Sequence, residues 1–240
     1  MNEELINSIK TLTRAYYDYQ NERLALDGRL ELKKSGELKK DARPIEPAML
    51  LIMKKRRDDV AAFEDELAKE LAKEVHKHDL WKFFLKEVKG CGEGMAAVII
   101  SEFDIYKAPH VSNLWSFAGF APGKDRKVKG QKCSYNQFLR SKLAGVLGSS
   151  FLKSNSPYRE YYDNMRTRYE GENWGMDSKN PGNKDNVKAG HQHKAAIRYM
   201  VKMFLKDLYV AWRTLEGLEV SEPYQKEYLG HDHEARHNVA

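Results

Sequence analysis

The chain has 240 residues, a length that suits one large domain or two small ones, and its hydrophobic content of 41% is enough for a packed core. The net charge of +6 favours polyanionic partners such as DNA or RNA. The sequence contains two cysteines, Cys91 and Cys133, and this number excludes a disulfide framework. No apolar run approaches the length of a membrane span.

The first 78 residues are predicted to form two long helices. Apolar side chains recur at intervals of four and three residues along the first helix, at Leu5, Ile9, Leu12, Tyr16 and Tyr19. A polar break that contains two prolines follows between Lys33 and Pro47, and a second helix begins near Ala48. The apolar stripe of the second helix consists of Val60, Phe63, Leu67, Leu71 and Val75. This pattern predicts a helical hairpin or a coiled coil through which the protein forms a homodimer.

Residues 79–216 are predicted to form a second helical domain, and residues 217–240 a polar tail that contains histidines. The stretch from Glu170 to Lys188 is rich in glycine, asparagine, aspartate and proline, which predicts a long loop. A last helix stops before Gly217 and carries an apolar stripe at Ile197, Val201, Phe204, Leu208 and Trp212. Strand patterns are scarce throughout the sequence. The predicted fold class is therefore all-α.

The segment Val88–Ile99 has the pattern of a helix-hairpin-helix, a motif that binds a nucleic-acid backbone without contacting the base edges. We name residues Gly90–Gly94 the glycine turn. Its outer glycines permit backbone with positive φ, and the turn leaves N–H groups at the start of the next helix, where they attract a phosphate. Ala96 and Ala97 are small enough for two helices to pack closely. The alternative is an ordinary glycine-rich turn between two helices.

Two runs of basic residues accompany this pattern. Lys54-Lys55-Arg56-Arg57 lies in the predicted second helix, and Lys124–Lys132, which we name the basic segment, follows Pro122. Such runs bind polyanions, although a charged run is more often a solvated helix face or loop. The glycine turn and the basic segment, with the helix start that follows it, predict the nucleic-acid contacts. The predicted residues are Lys89, Gly90, Gly92, Glu93, Gly94, Met95, Lys124, Arg126, Lys127, Lys129, Lys132, Asn136 and Arg140.

The region from Leu80 to Trp212 resembles the C-terminal domain of the insertion-sequence 110/116/902 transposases. In that family a Gly-x-Gly hairpin precedes a glutamate, an Ala-Gly-x-x-Pro element, an Asn-x-x-Leu-Arg helix start and a late basic helix. The same order occurs here as Gly90-Cys91-Gly92, Glu102, Ala118-Gly119-Phe120-Ala121-Pro122, Asn136-Gln137-Phe138-Leu139-Arg140 and Arg198. The helical first part is similar to the coiled coil that precedes this domain in the family. The resemblance implies DNA transposition or recombination, and RNA is an alternative partner because the family uses a guide RNA.

Two parts of that family's catalytic apparatus are not recognised in this sequence. The first 78 residues are predicted to be helical, which leaves no room for the family's RNase-H-like domain with its metal-binding carboxylates. The family also has a nucleophilic serine shortly after the Ala-Gly-x-x-Pro element, and this chain has no serine between Pro122 and Lys132. Ser134 and Tyr135 are the weak candidates for a hydroxyl that attacks a phosphodiester. A solvent-exposed serine and a packed tyrosine are the commoner roles for such residues.

Two His-x-His pairs, His191 with His193 and His231 with His233, are weak candidate ligands for a divalent metal ion. No other cofactor is suggested by the sequence. A bound metal would favour a metal-dependent nuclease, because the metal activates water or stabilises charge on the reacting phosphate. The rings of a His-x-His pair on a helix point to opposite sides, so the alternative is that these residues flank the last helix and lie in a polar tail.

The leading hypothesis is a transposase-like DNA-binding protein that contacts the nucleic-acid backbone through the glycine turn and the basic segment. The first alternative is an active transposase, recombinase or metal-dependent nuclease with an unrecognised nucleophile. The second is a helical scaffold that binds protein. The acidic start Met1-Asn2-Glu3-Glu4 does not resemble a signal peptide, so we expect a cytoplasmic protein with no membrane partner.

Overall fold

The structure is a computed structural model, and it describes residues 2–33, 35–122, 130–171 and 184–221, the first five of the last range by backbone alone. No β-strand occurs within these ranges, where an isolated bridge joins Leu32 to Leu38. The predicted all-α fold class is confirmed. The chain divides into two compact units, Asn2–His78 and the part from Asp79 onward. This division falls where the sequence predicts a domain boundary.

The first unit is an antiparallel hairpin of helices α1 (Glu3–Arg29) and α2 (Pro47–Lys77). The side chain of Asn2 caps α1 by accepting a hydrogen bond from the N–H of Leu5 at 3.2 Å, and Pro47 occupies the first turn of α2. Gln20 of α1 contacts Glu64, whereas Asp27, further along α1, contacts Arg57, which precedes Glu64 in α2. The contacts therefore run in opposite directions along the two helices, as the hairpin prediction requires.

Most of the predicted stripe of α2 is buried, but Phe63 is an exception. Its side chain is 40% exposed, while its neighbour Glu64 is buried. Arg23 donates to the Glu64 carboxylate from Nε at 2.5 Å, and Gln20 donates to it at 3.1 Å. Because a buried carboxylate requires such partners, the polar network rather than an aromatic ring occupies this inward position. Phe63 contacts Tyr19 edge-on instead, with 4.6 Å between the ring centroids.

The second unit contains the remaining described helices, which we number α3 to α9. Two 3₁₀ turns, Leu85–Glu87 and Ile105–Lys107, flank α4, and a π-helical turn, Lys142–Leu147, joins α6 to α7. The helices are α3 (Asp79–Phe83), α4 (Glu93–Glu102), α5 (Val111–Phe117), α6 (Gln137–Ser141), α7 (Gly148–Lys153), α8 (Arg159–Gly171) and α9 (Lys184–Leu215).

Helices α4 and α9 form the core of this unit. All residues from Met95 to Ser101 in α4 are buried, which is typical of a helix surrounded by other elements. Helix α9 packs against α3, α5, α7 and α8 and buries the whole predicted stripe. The stripe prediction for the last helix is therefore confirmed.

Both predicted boundaries of the loop from Glu170 to Lys188 are wrong. Helix α8 continues to Gly171, and α9 already begins at Lys184. Tertiary contacts between the two helices account for the difference: Arg166 donates to the carbonyl of Ala189 at 3.0 Å, and Gln192 donates to the carbonyl of Tyr169 at 3.0 Å. Local composition does not reveal such contacts, which override weak helix propensity.

Within the described ranges, the helices lack the combination of length and apolar composition that a bilayer-spanning segment needs.

Candidate nucleic-acid interface

The first arm of the predicted helix-hairpin-helix is short. It consists of α3 and the 3₁₀ turn Leu85–Glu87, with a break at Phe84, where φ is −139° and ψ is −64°. Leu85 is fully buried immediately after the break. The sequence pattern therefore predicts the turn and the second helix better than it predicts a continuous first helix.

Gly90 is the one member of the glycine turn that requires glycine for conformational reasons. Its φ is +96°, and a Cβ atom there would lie 2.7 Å from Ser154 Oγ on the segment that follows α7. The Gly90 carbonyl accepts a hydrogen bond from Ser150 Oγ at 2.7 Å. Gly92 has a φ of −81°, and Gly94 is not among the glycines with positive φ. The prediction of positive φ for the outer glycines is right for Gly90 and wrong for Gly94.

The start of α4 has no side-chain cap. Gly92 is the N-cap residue, with the extended backbone (φ −81°, ψ 176°) that N-cap residues normally adopt. Apart from the adjacent backbone, no atom of the described residues lies within 4 Å of the position that a Cβ would take at Gly92 or Gly94, so these residues leave room there for an approaching group. The first N–H groups of an α-helix have no partner within the helix, and they carry its positive dipole end.

Met95 does not contribute to this open helix end as predicted. Its N–H donates to the carbonyl of Gly92 at 3.0 Å, and its side chain is 6% exposed. The N–H groups that remain for an anion therefore belong to residues that precede Met95. Met95 itself packs in the core.

The electrostatics around the glycine turn are mixed. Lys89 is exposed next to the turn, but Glu93 places a carboxylate in the first turn of α4, where it competes with an anion for the helix dipole. Burial, with a smaller contribution from Glu93, raises the pKa of Cys91 to about 12. The Cys91 thiol therefore stays protonated at neutral pH, and it is not an activated nucleophile.

At the other end of α4, five residues that are distant in sequence form what we name the anchor cluster: Glu102, Gly119, Tyr135, Asn136 and Arg140. Asn136 caps α6 by accepting from the N–H of Leu139 at 3.0 Å, and it donates to the Glu102 carboxylate at 2.5 Å. Arg140 donates to the carbonyl of Gly119 at 2.9 Å. These contacts give Asn136 and Arg140 positioning roles, in addition to any contact with a ligand.

Asn136 of the anchor cluster also joins the end of α5 to the start of α6. Its N–H donates to the carbonyl of Phe117 at 2.8 Å. Phe117 and Asn136, which lie on either side of the basic segment in sequence, are therefore held together. Lys132 is exposed, and the predicted contacts at Lys124, Arg126, Lys127 and Lys129 lie outside the described residues.

The two candidate nucleophiles differ in their surroundings. Ser134 is exposed. The ring of Tyr135 packs against Gly119, where a Cβ atom would come within 2.7 Å of it, and the Arg140 guanidinium lies 4.8 Å from the ring centroid. Tyr135 is thus part of the packing of the anchor cluster. A nucleophilic role for either hydroxyl stays a prediction.

The first basic run, Lys54-Lys55-Arg56-Arg57, forms ion pairs within the helical hairpin. Arg56 pairs with Glu22 at 2.8 Å, and Arg57 pairs with Asp27 at 2.8 Å. In these ion pairs the carboxylates neutralise positive charge that would otherwise attract a polyanion. Arg56 and Arg57 are therefore better explained as contacts between α1 and α2 than as nucleic-acid contacts.

The described histidine pair, His191 and His193, lies on α9. His191 and His193 are exposed on α9 on either side of the buried Gln192, and His193 Nδ1 lies 2.7 Å from the hydroxyl of Tyr162. Among the residues that the structure describes, no group of three or more histidine, cysteine, aspartate or glutamate side chains has a metal-binding arrangement. His231 and His233 lie outside these residues.

Sequence reasoning missed one cation on α9 that packs against α5. Lys202 Nζ of α9 lies 4.3 Å from the ring centroid of Trp115 in α5, and Trp115 Nε1 donates to the Lys202 carbonyl at 3.2 Å. Burial lowers the pKa of Lys202. The only sequence signal was a lysine inside a strongly apolar helix.

Comparisons of the chain with protein-family models, with curated proteins and with solved structures found no match.

Proposed function

We propose that the chain binds nucleic acid through the sugar–phosphate backbone, with little preference for base sequence. The observation that carries this proposal is the start of α4. Gly92 provides an N-cap without a side chain, and a Cβ atom added at Gly92 or Gly94 would meet no described atom within 4 Å apart from the adjacent backbone. A phosphate oxygen can therefore approach the N–H groups of the first turn, where the helix dipole favours an anion.

The basic segment supplies the positive charge that this proposal needs. It contains Lys124, Arg126, Lys127, Lys129 and Lys132 within nine positions. Helix α4 separates the glycine turn from the anchor cluster by about 14 Å, since it has 10 residues with a rise of roughly 1.5 Å each. That separation corresponds to about four nucleotide steps at roughly 3.4 Å per step. One nucleic-acid strand is thus long enough to contact both places.

We infer further that this binding serves DNA transposition or recombination, as the resemblance to the 110/116/902 transposases implies. Support comes from the residues that carry the resemblance. Glu102, Gly119, Asn136 and Arg140 are up to 38 positions apart in sequence, yet they are joined by hydrogen bonds in one cluster. The proposal concerns binding and not cleavage, because the family's catalytic serine and carboxylate cluster have no counterpart recognised in the sequence.

We also propose that the helical hairpin forms a homodimer. The first turns of α2 expose three apolar side chains, Met49, Leu51 and Ile52, and Leu51 is 71% exposed. Leu24 of α1 is exposed as well. Burying these side chains against a second copy would remove apolar surface from water. Sedimentation equilibrium should show a dimer that a Leu51→Glu, Ile52→Glu variant converts to a monomer, and a monomeric wild type would contradict this part.

Titration of the full-length protein against two fluorescent duplexes of unrelated sequence, over a range of KCl concentrations, tests the binding proposal. We expect affinity to fall steeply with salt and to be similar for both duplexes, because phosphate contacts release counterions and carry no base information. A single-stranded RNA of equal length, run in parallel, shows which nucleic acid is preferred.

A charge-matched pair of variants locates the contact. The first variant changes Lys124, Arg126, Lys127 and Lys129 to Gln, and the control changes the exposed Lys10, Lys40, Lys69 and Lys194 to Gln. If each removed cation contacts one phosphate, the negative slope of log K against log[salt] should become less steep by roughly three to four for the first variant. The control should keep the wild-type slope. Equal decreases in the steepness of this slope for both variants would show that binding depends on net charge alone, and they would contradict the proposed interface.

A further inference from the structure

A cavity of about 440 Å³ lies beside the glycine turn, between the end of α3, the start of α8 and α9. Its volume falls within the range of small-ligand sites, which is about 300–1,000 Å³. Aromatic rings form much of its wall: Phe83, Phe84, Tyr158 and Tyr161. Phe83 is 68% exposed, an unusual position for a large apolar side chain unless a ligand or partner covers it.

The charged groups that line the cavity are mainly acidic. Glu87, Glu160 and Asp207 contribute three carboxylates, and Lys89 contributes the one cation among the lining residues. Asp207 accepts a hydrogen bond from the hydroxyl of Tyr158 at 2.9 Å, which keeps this carboxylate next to the aromatic wall. Ionised carboxylates are hydrogen-bond acceptors only. The cavity therefore offers acceptors and aromatic faces to its contents.

The lining also contains a buried hydroxyl without a hydrogen-bond partner. Ser156 is 3% exposed, and its Oγ has no partner among the described residues. Unsatisfied buried polar groups are rare in folded proteins, and a ligand that donates a hydrogen bond is one way to satisfy them. Because Ser156 lines the cavity and its hydroxyl can both donate and accept, this group is a second and independent indication of a polar ligand.

We propose that this cavity binds the cationic side chain, arginine or lysine, of a partner polypeptide. The positive group would lie against the aromatic faces, which attract cations, and its N–H donors would reach the carboxylates. The same carboxylates repel the phosphates of a nucleic acid, so the occupant is a protein segment rather than DNA or RNA. This site shares Lys89 with the predicted nucleic-acid contacts, but its proposed occupant does not depend on that proposal.

Chemical-shift titration of the isotope-labelled, full-length protein tests this site. The probes are N-acetylarginine amide, N-acetyllysine amide and N-acetylcitrulline amide, the last being a neutral analogue of arginine. We expect saturable shifts confined to residues 83–89, 156–161 and 207 with the two cationic probes, and binding of citrulline at least about tenfold weaker. Guanosine monophosphate serves as the nucleotide probe, and it should not bind.

A pair of double variants supplies the control. Glu87→Gln with Glu160→Gln should weaken binding of the arginine probe roughly two- to fivefold, as expected for losing charge at exposed positions. Glu66→Gln with Glu70→Gln on α2 makes the same charge change at two residues that do not line the cavity, and it should leave binding unchanged. Either of two outcomes would overturn the proposal: citrulline or guanosine monophosphate binding as tightly as arginine, or the absence of saturable shifts in the cavity.

Discussion

Replacing Gly92 by aspartate should separate the stability of α4 from its capacity to bind phosphate. The extended backbone of Gly92 already has N-cap geometry, and no atom within 4 Å opposes a new side chain. An aspartate carboxylate there accepts a hydrogen bond from the first turn and interacts favourably with the dipole, which together contribute about 0.5–1 kcal/mol. The variant should therefore unfold at the same denaturant concentration as the wild type, or at a slightly higher one.

The same carboxylate should weaken binding of nucleic acid. It occupies the N–H groups that a phosphate would use, and it adds a negative charge about 5 Å from the bound phosphate. Coulomb's law gives a repulsion of about 1–3 kcal/mol at that distance, depending on how far water screens the pair. This corresponds to a loss of affinity of at least about fivefold. Fluorescence anisotropy with a labelled duplex at low salt measures the loss.

Two neighbouring variants complete this test. Gly92→Ser provides a cap without charge and should lose clearly less affinity than Gly92→Asp. Glu93→Gln removes the competing carboxylate from the first turn and should raise affinity. If Gly92→Asp binds DNA as well as the wild type does while remaining folded, the start of α4 does not contact phosphate.

Three further predictions concern stability. Gly90→Ala should lower the free energy of unfolding by about 2–4 kcal/mol, because the residue has positive φ and packs against the end of α7; urea denaturation measures this. Glu64→Ala should cost about 2–3 kcal/mol by leaving Arg23 without its buried partner, whereas the exposed Glu66→Ala should cost less than about 0.5 kcal/mol. Burial raises the pKa of Cys91 from 9.0 to about 12, so the stability advantage of the wild type over Cys91→Ala should be complete below pH 9 and should fall as the pH rises towards 12.

Each of these predictions has a result that contradicts it. A Gly90→Ala protein of unchanged stability would show that the turn relaxes without strain. Equal costs for Glu64→Ala and Glu66→Ala would mean that the buried network contributes little to the hairpin. A difference between wild type and Cys91→Ala that stays constant across alkaline pH would show that Cys91 titrates as an exposed thiol does.

The helices with the strongest periodicity could be predicted from the sequence. The two helices of the hairpin and the stripe of α9 follow from apolar spacing, because burial of one face stabilises a helix whatever its detailed contacts are. Phe63 and Glu64 show the limit of this reasoning. Periodicity assigns the inward position to the ring, but the partners of Glu64 come from α1 and are not visible in the sequence of α2.

The candidate interface could be predicted in part. The positive φ of Gly90 and the helix start after Gly92 follow from local sequence. The bond of Asn136 to Glu102 is a contact across 34 positions, and composition carries no signal for it. The aromatic and acidic cavity was missed for the same reason, since its walls come from three separated segments.

The central claim is that this chain binds nucleic acid through phosphate contacts at the basic segment and the start of α4. The most direct test is the affinity of the wild-type protein for two duplexes of unrelated sequence, measured from low to moderate KCl. We predict binding at low salt that is equal for the two duplexes, with a steep negative slope of log K against log[salt]. Absence of binding at low salt, or an affinity that does not change with salt, would contradict the claim.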